Sequence, residues 1–405
     1  MSNKETAPLV PKLRFSEFQG KEGWKAKRLG LVLKFQAGFP FPSAGFGNTG
    51  KGLRLIRNRD LRSDDIVVFY SGEFDPNFVV SNGDVLVGMD GDFTPTVWEK
   101  GKALLNQRVG RILPLENSSQ QFLLYLLTLC LKGVEAATAR TTVKHLSHSA
   151  IEEKRESLPS LAEQQRIAAC LSSLDELIAA QARKVNALKT RKKGLMQQLF
   201  PREGETQPSL RFPKLQGAPT WERRTFGRLA TFFNGRAYKQ EELLESGEYR
   251  VLRVGNFFSN KSWYYSDLQL EDSKYCGDGD LLYAWSASFG PRIWSGERVI
   301  YHYHIWKVIP KAGIDKIFLF ILLGHETERM KSQSANGLGL MHITKGAIEA
   351  WECCLPSSAE QKRIADCLGA VDTLIASETQ KLESLKTHKN GLMQQLFPLA
   401  EAVEA

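Results

Sequence analysis

A few stretches of this 405-residue chain have residue types and spacings that chemistry would need. Gly45 to Gly52, GFGNTGKG, carries the G-x-x-x-x-G-K of a phosphate-cradling loop, whose backbone N–H groups wrap a phosphate and whose next hydroxyl holds magnesium. Gly52 stands where that Ser or Thr belongs, and the preceding FQAGFPFPSA is a poor buried strand, so a nucleotide site is rejected. Neither H-E-x-x-H, G-x-S-x-G nor a C-x-x-C zinc spacing occurs, and the G-x-G-x-x-G of Gly45 to Gly50 falls in this same segment without a buried strand before it. No Asn or Asp precedes Pro-Pro and an aromatic, as an adenine methyltransferase would require. The sequence thus points to a recogniser that is not itself an enzyme, with no catalytic, metal or cofactor residue of its own.

Recognition chemistry is better represented. Asn106, Gln107 and Arg108 open one apolar stretch, and His302, Tyr303 and His304 open its counterpart. Asn, Gln and Arg form paired hydrogen bonds with adenine or guanine edges, while Ser, His and Tyr serve bases or phosphates. Two turn-rich segments present further candidates: MDGDFTPTVW at 89–98, with Asp90 and Asp92, and WSASFGPRIW at 285–294, with Ser286, Ser288 and Arg292. Asn58, Asn256, His145 and His342 complete the polar set, and Arg57, Arg59, Lys144, Arg253, Arg292 and Lys345 are candidate phosphate contacts. The competing reading is structural: Asn and Gln cap turns, and lone Arg or Lys residues are solvated faces. The aromatic group Trp263, Tyr264, Tyr265, Trp285, Trp294, Tyr301, Tyr303 and Trp306 reads as core in preference to a base-stacking platform.

These residues lie in two inserts, 25–157 and 222–354, that share landmarks in order. Phe35 and Gly38 match Phe232 and Gly235; LRLIRNRDL at 53–61 parallels YRVLRVGNF at 249–257, and HLSHSAIE at 145–152 parallels HITKGAIE at 342–349. The alternating stretches VLVGM, RVGRIL, DLLYAW and HIWKVI predict strands, and QQFLLYLLTLCL and KIFLFILLGHETERM predict short helices packed on a sheet. Both inserts therefore read as one mixed α/β fold, decorated in two ways.

What holds the inserts is repeated almost verbatim. Residues 158–201 return at 355–398, 197 positions later, with 28 of 44 residues identical and no gap. At the same offset Pro11, Leu13, Arg14, Phe15, Gln19, Gly20 and Trp24 match Pro208, Leu210, Arg211, Phe212, Gln216, Gly217 and Trp221. Leu171, Leu174, Ile178, Gln181, Val185, Leu188, Lys192, Leu195 and Leu199 form a heptad seam, as do Leu368, Val371, Ile375, Glu378, Leu382, Leu385, Lys389, Leu392 and Leu396. So narrow a stripe must lie against a partner helix, and the other copy is the nearest. The polar seam positions either fix register or snorkel to water. Pro159 and Pro356 block helix before each copy, Ser160 and Ser357 can cap, Glu163 and Glu360 complete a capping box, and Pro201 and Pro398 end it. Two rods of about 57 Å, antiparallel and related by a pseudo-dyad, are expected. The boundaries read as a flexible tail 1–10, a recognition domain 11–157, a coil 158–201, a linker 202–207, a second domain 208–354, a second coil 355–398 and a tail 399–405. The fold class is α+β.

A net charge of +9 favours a polyanionic partner. With 42% hydrophobic residues the chain can bury two ordinary cores. It has no apolar run of membrane-spanning length and no signal-like start, so a cytoplasmic protein is expected. Six cysteines without zinc spacing read as buried thiols.

A tandem of variable insert and coil, with the LP-x-x-x-EQ-x-RI start, the GLMQQLFP exit and the GDVLVGMDG…ALLNQRVGRI core, resembles the specificity subunit of a type I restriction-modification system. The likeness covers residues 11 to 398. It implies that each insert is a target recognition domain reading one half of a two-part double-stranded DNA site. It also implies that the coils set the gap and dock two modification subunits, adenine methyltransferases that bind S-adenosylmethionine. Restriction subunits would add ATP- and Mg-dependent translocation and cleavage. The inserts vary within the family, so no base-reading residue carries over. A DNA-binding regulator or scaffold without an enzyme partner is the alternative, and co-purification with a methyltransferase separates the two.

Overall fold

The structure is a computed structural model that describes residues 9–137, 145–258, 261–286, 289–334 and 342–398. It divides into two compact units, one of residues 1–182 with 380–405 and one of residues 183–379. The division falls inside the two long helices, where the sequence had placed borders at the insert edges. Each unit holds one insert, the first half of the helix that follows it, and the last half of the other long helix.

In the first unit an antiparallel sheet runs in the order Leu33–Ala37, Val109–Pro114, Val85–Gly88, Thr96–Val97. A second sheet runs Phe46–Gly47, Val68–Tyr70, Leu53–Ile56, Ala103–Leu105, Val79–Val80, and its 53–56 and 103–105 strands pair in parallel. The second unit repeats the pattern with Ala230–Asn234, Ile305–Pro310, Leu281–Ala284, Gly290–Ile293, and with Tyr264–Ser266, Tyr249–Leu252, Val299–Tyr301, Tyr275–Cys276. Strands Val85–Gly88 and Leu281–Ala284 are buried throughout because each separates two cores. Val85 and Val87 face the helix Gln120–Ala137, while Leu86 faces Ile56, Trp98 and Leu105. Leu281 and Tyr283 likewise face the helix Lys316–Ser334, and Leu282 and Ala284 the opposite core. The two-residue period of a strand thus sorts a continuous apolar run onto two faces. Both packing helices are longer than the apolar stretches that announced them.

The GFGNTGKG segment is the short strand Phe46–Gly47 followed by a turn. Gly50 and Gly52 adopt φ of +79° and +94°, and a Cβ on Gly52 would lie 2.0 Å from the Tyr70 carbonyl oxygen, so the glycines serve a tight reversal into the strand at 53 and no helix follows.

Leu161–Leu199 and Ser358–Leu396 are helices of 39 residues. Ser160 Oγ accepts from the Glu163 N–H and Ser357 Oγ from the Glu360 N–H, both at 3.4 Å. The reciprocal arm of the expected capping box is absent. Glu163 instead takes two 2.8 Å hydrogen bonds from Arg14 Nε and Nη2 and a third from Trp24 Nε1, and is 2% exposed. Glu360 is held by Arg211 in the same way. This accounts for the short repeated motif: its Arg clamps the helix start, and its Trp packs beneath it.

Every seam position of both helices is buried or half-buried. In the first unit Ile167, Ala168 and Leu171 share a core with Met393, Leu396 and Phe397, and Lys389 Nζ lies 2.5 Å from Asp175 Oδ1. In the second, Leu199 and Phe200 meet Ile364, Ala365 and Leu368, and Lys192 Nζ lies 2.6 Å from Asp372 Oδ1. Residue numbers rise on one helix as they fall on the other, so the helices are antiparallel within each unit. The seam lysines do not snorkel. Each finds an aspartate, and the two pairs are equivalent under the 197-residue offset.

Candidate nucleic-acid interface

In the first unit three segments meet at the end of the central strand. Met89 N–H donates to the Arg108 carbonyl at 3.0 Å, and Leu146 N–H donates to the Met89 carbonyl at 2.8 Å, which brings Asp90, Arg108 and His145 side by side. Asp90 Oδ1 lies 3.4 Å from Arg108 Nη1 and 2.9 Å from His145 Nδ1. Asn58 Nδ2 donates to the Asp90 carbonyl at 2.6 Å, so Asn58 braces the turn. Asp92 accepts from the Thr94 N–H and pairs with Arg62, which lowers its carboxyl pKa against the opposing effect of burial. Gln107 is exposed, its N–H donating to the Phe39 carbonyl, and Asn106 is half-buried.

The second unit builds the same frame from other residues. Trp285 N–H donates to the His304 carbonyl at 3.1 Å and Ile343 N–H to the Trp285 carbonyl at 3.0 Å, which sets Ser286 beside His342 and Tyr303 nearby. Tyr303 is 38% exposed, and the aromatics behind it are core, Trp285, Trp306 and Tyr283 stacking in sequence. Burial, aided by His304 and Arg253, lowers the His302 pKa to about 4, and burial lowers that of His304. Both imidazoles are neutral at pH 7.

Gly38 and Gly235 make both frames possible. A Cβ on either would meet the carbonyl oxygens of 105–106 or 301–302 at 2.1 to 2.5 Å. The residues that follow them, Phe39 and Arg236, therefore reach the same faces. Sequence reasoning missed both, although the glycine landmark adjoins them. It also missed Arg62.

The remaining candidates scatter. Arg57 is committed to Asp60, donating from Nε and Nη2 at 2.9 Å each, and to the Ile66 carbonyl; the Asp60 hydrogen bonds raise its pKa. Arg59 is exposed. Arg253 lies over the Tyr264 ring at 4.2 Å, Asn256 donates to the Ser262 carbonyl, and Arg292 is exposed with its guanidinium 5.8 Å from the Phe257 ring. Lys345 opens the helix Lys345–Ala350 and pairs with Glu349. Lys144 and Ser288 lie outside the described residues. His145 invites a catalytic reading beside Asp90, yet among the described residues no hydroxyl or thiol bonds to it. No group of three or more metal-ligating side chains occurs among them either. The six cysteines are free; three are buried and three half-buried, fewer buried than the sequence suggested.

The family described as the type I restriction modification DNA specificity domain matches residues 21–190 and, a second time, 219–387. The chain belongs to this family. Each of the two matches contains one of the two frames. The chain is 25% identical over 404 residues to the type I restriction enzyme MjaVIII specificity subunit of Methanocaldococcus jannaschii, covering 95% of each. It is 38% identical to the type I restriction enzyme EcoBI specificity subunit of Escherichia coli over 159 residues, 39% of this chain and one third (33%) of that relative's length. The solved S subunit of a type I restriction-modification system from M. genitalium shares the fold, with a TM-score of 0.61 at 17% identity over 97% of this chain and 100% of that one. Among the described residues no helix is long and apolar enough to cross a membrane.

Proposed function

We propose that this chain selects the DNA sequence on which a type I restriction-modification complex acts, each specificity domain reading one half of an asymmetric two-part site. The observation that carries this is one backbone frame built twice around a shared histidine, His145 or His342, with unlike side chains at the other places: Asp90, Gln107 and Arg108 in one copy, Ser286, Tyr303 and His304 in the other. Like frames hold the reading edge in equivalent positions, and unlike side chains ask for unlike bases. The chain itself is non-catalytic. The paired helices set the gap between half-sites, and their outward faces dock two modification subunits, which bring S-adenosylmethionine and methylate adenine; restriction subunits bring ATP- and Mg-dependent cleavage. The complex works in the cytoplasm, and the excess positive charge of +9 draws the chain to DNA.

Co-expression with its methyltransferase subunits and sequencing of the methylated genome tests this. The expected result is a stable complex, one two-part asymmetric motif carrying methyladenine, and no methyl transfer by this chain alone. Methylation by the isolated chain, or a motif without a gap, overturns the reading.

A further inference from the structure

We propose that Arg108 reads a guanine in the half-site of the first domain, and that Asp90 is the positioning residue that holds its guanidinium in reading geometry. The inference rests on the two-part reading above. A long exposed cation makes a poor base reader unless its rotamer is fixed, because ordering it on DNA costs side-chain entropy. Arg108 meets that condition. Its side chain is 56% exposed, and one guanidinium nitrogen, Nη1, is tied to Asp90 Oδ1 at 3.4 Å. Among the described residues its side chain has no partner but Asp90 and His145, both approached through Nη1. Nη2 and Nε remain as the adjacent donor pair that the O6 and N7 acceptors of guanine require.

The buttress is itself fixed. Asp90 is 25% exposed, its carboxylate faces His145 Nδ1 at 2.9 Å, and its carbonyl accepts from Asn58. The paired Arg108 offsets the repulsion between this carboxylate and DNA phosphates. The other candidate arginines of this unit, Arg57 and Arg59, differ, and so does Arg62. Arg57 is spent on Asp60 and a backbone carbonyl, and among the described residues no carboxylate holds the exposed Arg59. Arg62 is paired with Asp92, but that carboxylate is 38% exposed and sits within a turn. In the second domain His304 and Ser286 occupy the equivalent positions, so the Arg108–Asp90 pair has no counterpart there and the base selected at that place differs.

The test uses the full complex with its methyltransferase subunits, a randomised DNA library, and methylation mapped by sequencing. The wild-type complex should prefer guanine at one fixed position in one half-site. Arg108→Gln should reduce that preference by about tenfold or more, leaving the other half unchanged. Asp90→Asn, which keeps the side-chain shape, should weaken preference at the same position by a smaller factor, a change that a merely structural role would not confine to one base. Arg62→Gln should leave it intact. The assignment falls if Arg108→Gln retains the preference, if it lowers methylation of all sequences evenly with a shallower salt dependence as a lost phosphate contact would, or if Arg62→Gln is the variant that moves the base. A wild-type complex that yields no two-part motif sinks the function reading itself and this inference with it.

Discussion

At the scale of single residues, the buried ion pairs at the helix starts are the most consequential. Glu163 and Arg14 are 2% and 7% exposed, and Glu163 also satisfies the Trp24 indole. Glu163→Ala leaves a buried guanidinium without its counter-charge, bonded only to the Lys21 and Glu22 carbonyls, and an indole N–H without its acceptor, so it should destabilise the first unit by about 3 kcal/mol, read as a lower urea midpoint. Replacing both partners, Arg14→Met with Glu163→Leu, should cost less than either single change. A loss under about 1 kcal/mol from Glu163→Ala would show the pair to be better hydrated than its burial implies. His302 supplies a pH dependence. Its pKa falls from the ordinary 6.5 to about 4 through burial, so the unfolded chain takes up a proton that the folded one refuses. The stability it contributes is present in full above pH 6.5 and is lost as pH falls towards 4. His302→Gln should flatten the drop in urea midpoint over that window, and an unchanged slope would contradict the assignment.

At the scale of elements, the two long helices depend on polar seam positions as much as on leucines. Asp175 with Lys389, and Asp372 with Lys192, are half-buried and occur at equivalent places. A one-turn slip would part both pairs and leave the part-buried lysines without their aspartates, which makes the pairs register marks. Asp175→Lys sets like charges side by side and should cost about 1 kcal/mol, and the swap Asp175→Lys with Lys389→Asp should recover most of it. Thermal unfolding of the two singles and the double closes the cycle; additive losses would rule out direct pairing. Asp175 also accepts a 2.8 Å hydrogen bond from Tyr125, whose equivalent in the second unit is Ile321, so the first pair should show the larger coupling.

At the scale of the whole molecule, conservation of the frame and divergence of the reading face separate the two roles. Exchanging residues 25–157 for the corresponding insert of another family member should replace one half of the methylated motif and leave the other half and the gap unchanged. Equal lengthening of both long helices should change the gap and neither half. Methylome sequencing checks both, and an insert exchange that altered both halves would contradict separate readers.

Sequence alone determined the duplicated frame, because repeats, heptads and proline stops are local signals: the seam residues, the helix ends at Leu199 and Leu396, and the central strands were legible from period and punctuation. So was the two-part character of the protein, since a matched frame around unmatched inserts needs no coordinates to see. Tertiary structure alone decided how polar residues are spent. Glu163 looked like half of a capping box and is instead the partner of Arg14, 149 residues away, because a buried guanidinium outweighs one exposed N–H. In the chain Arg57 was a candidate phosphate contact and Arg108 a candidate base contact; only the fold shows the first consumed by Asp60 and the second left with two donors beside Asp90. Hydrophobic period fixes which face is covered, but hydrogen-bond partners are chosen across long loops, and no local pattern records that choice.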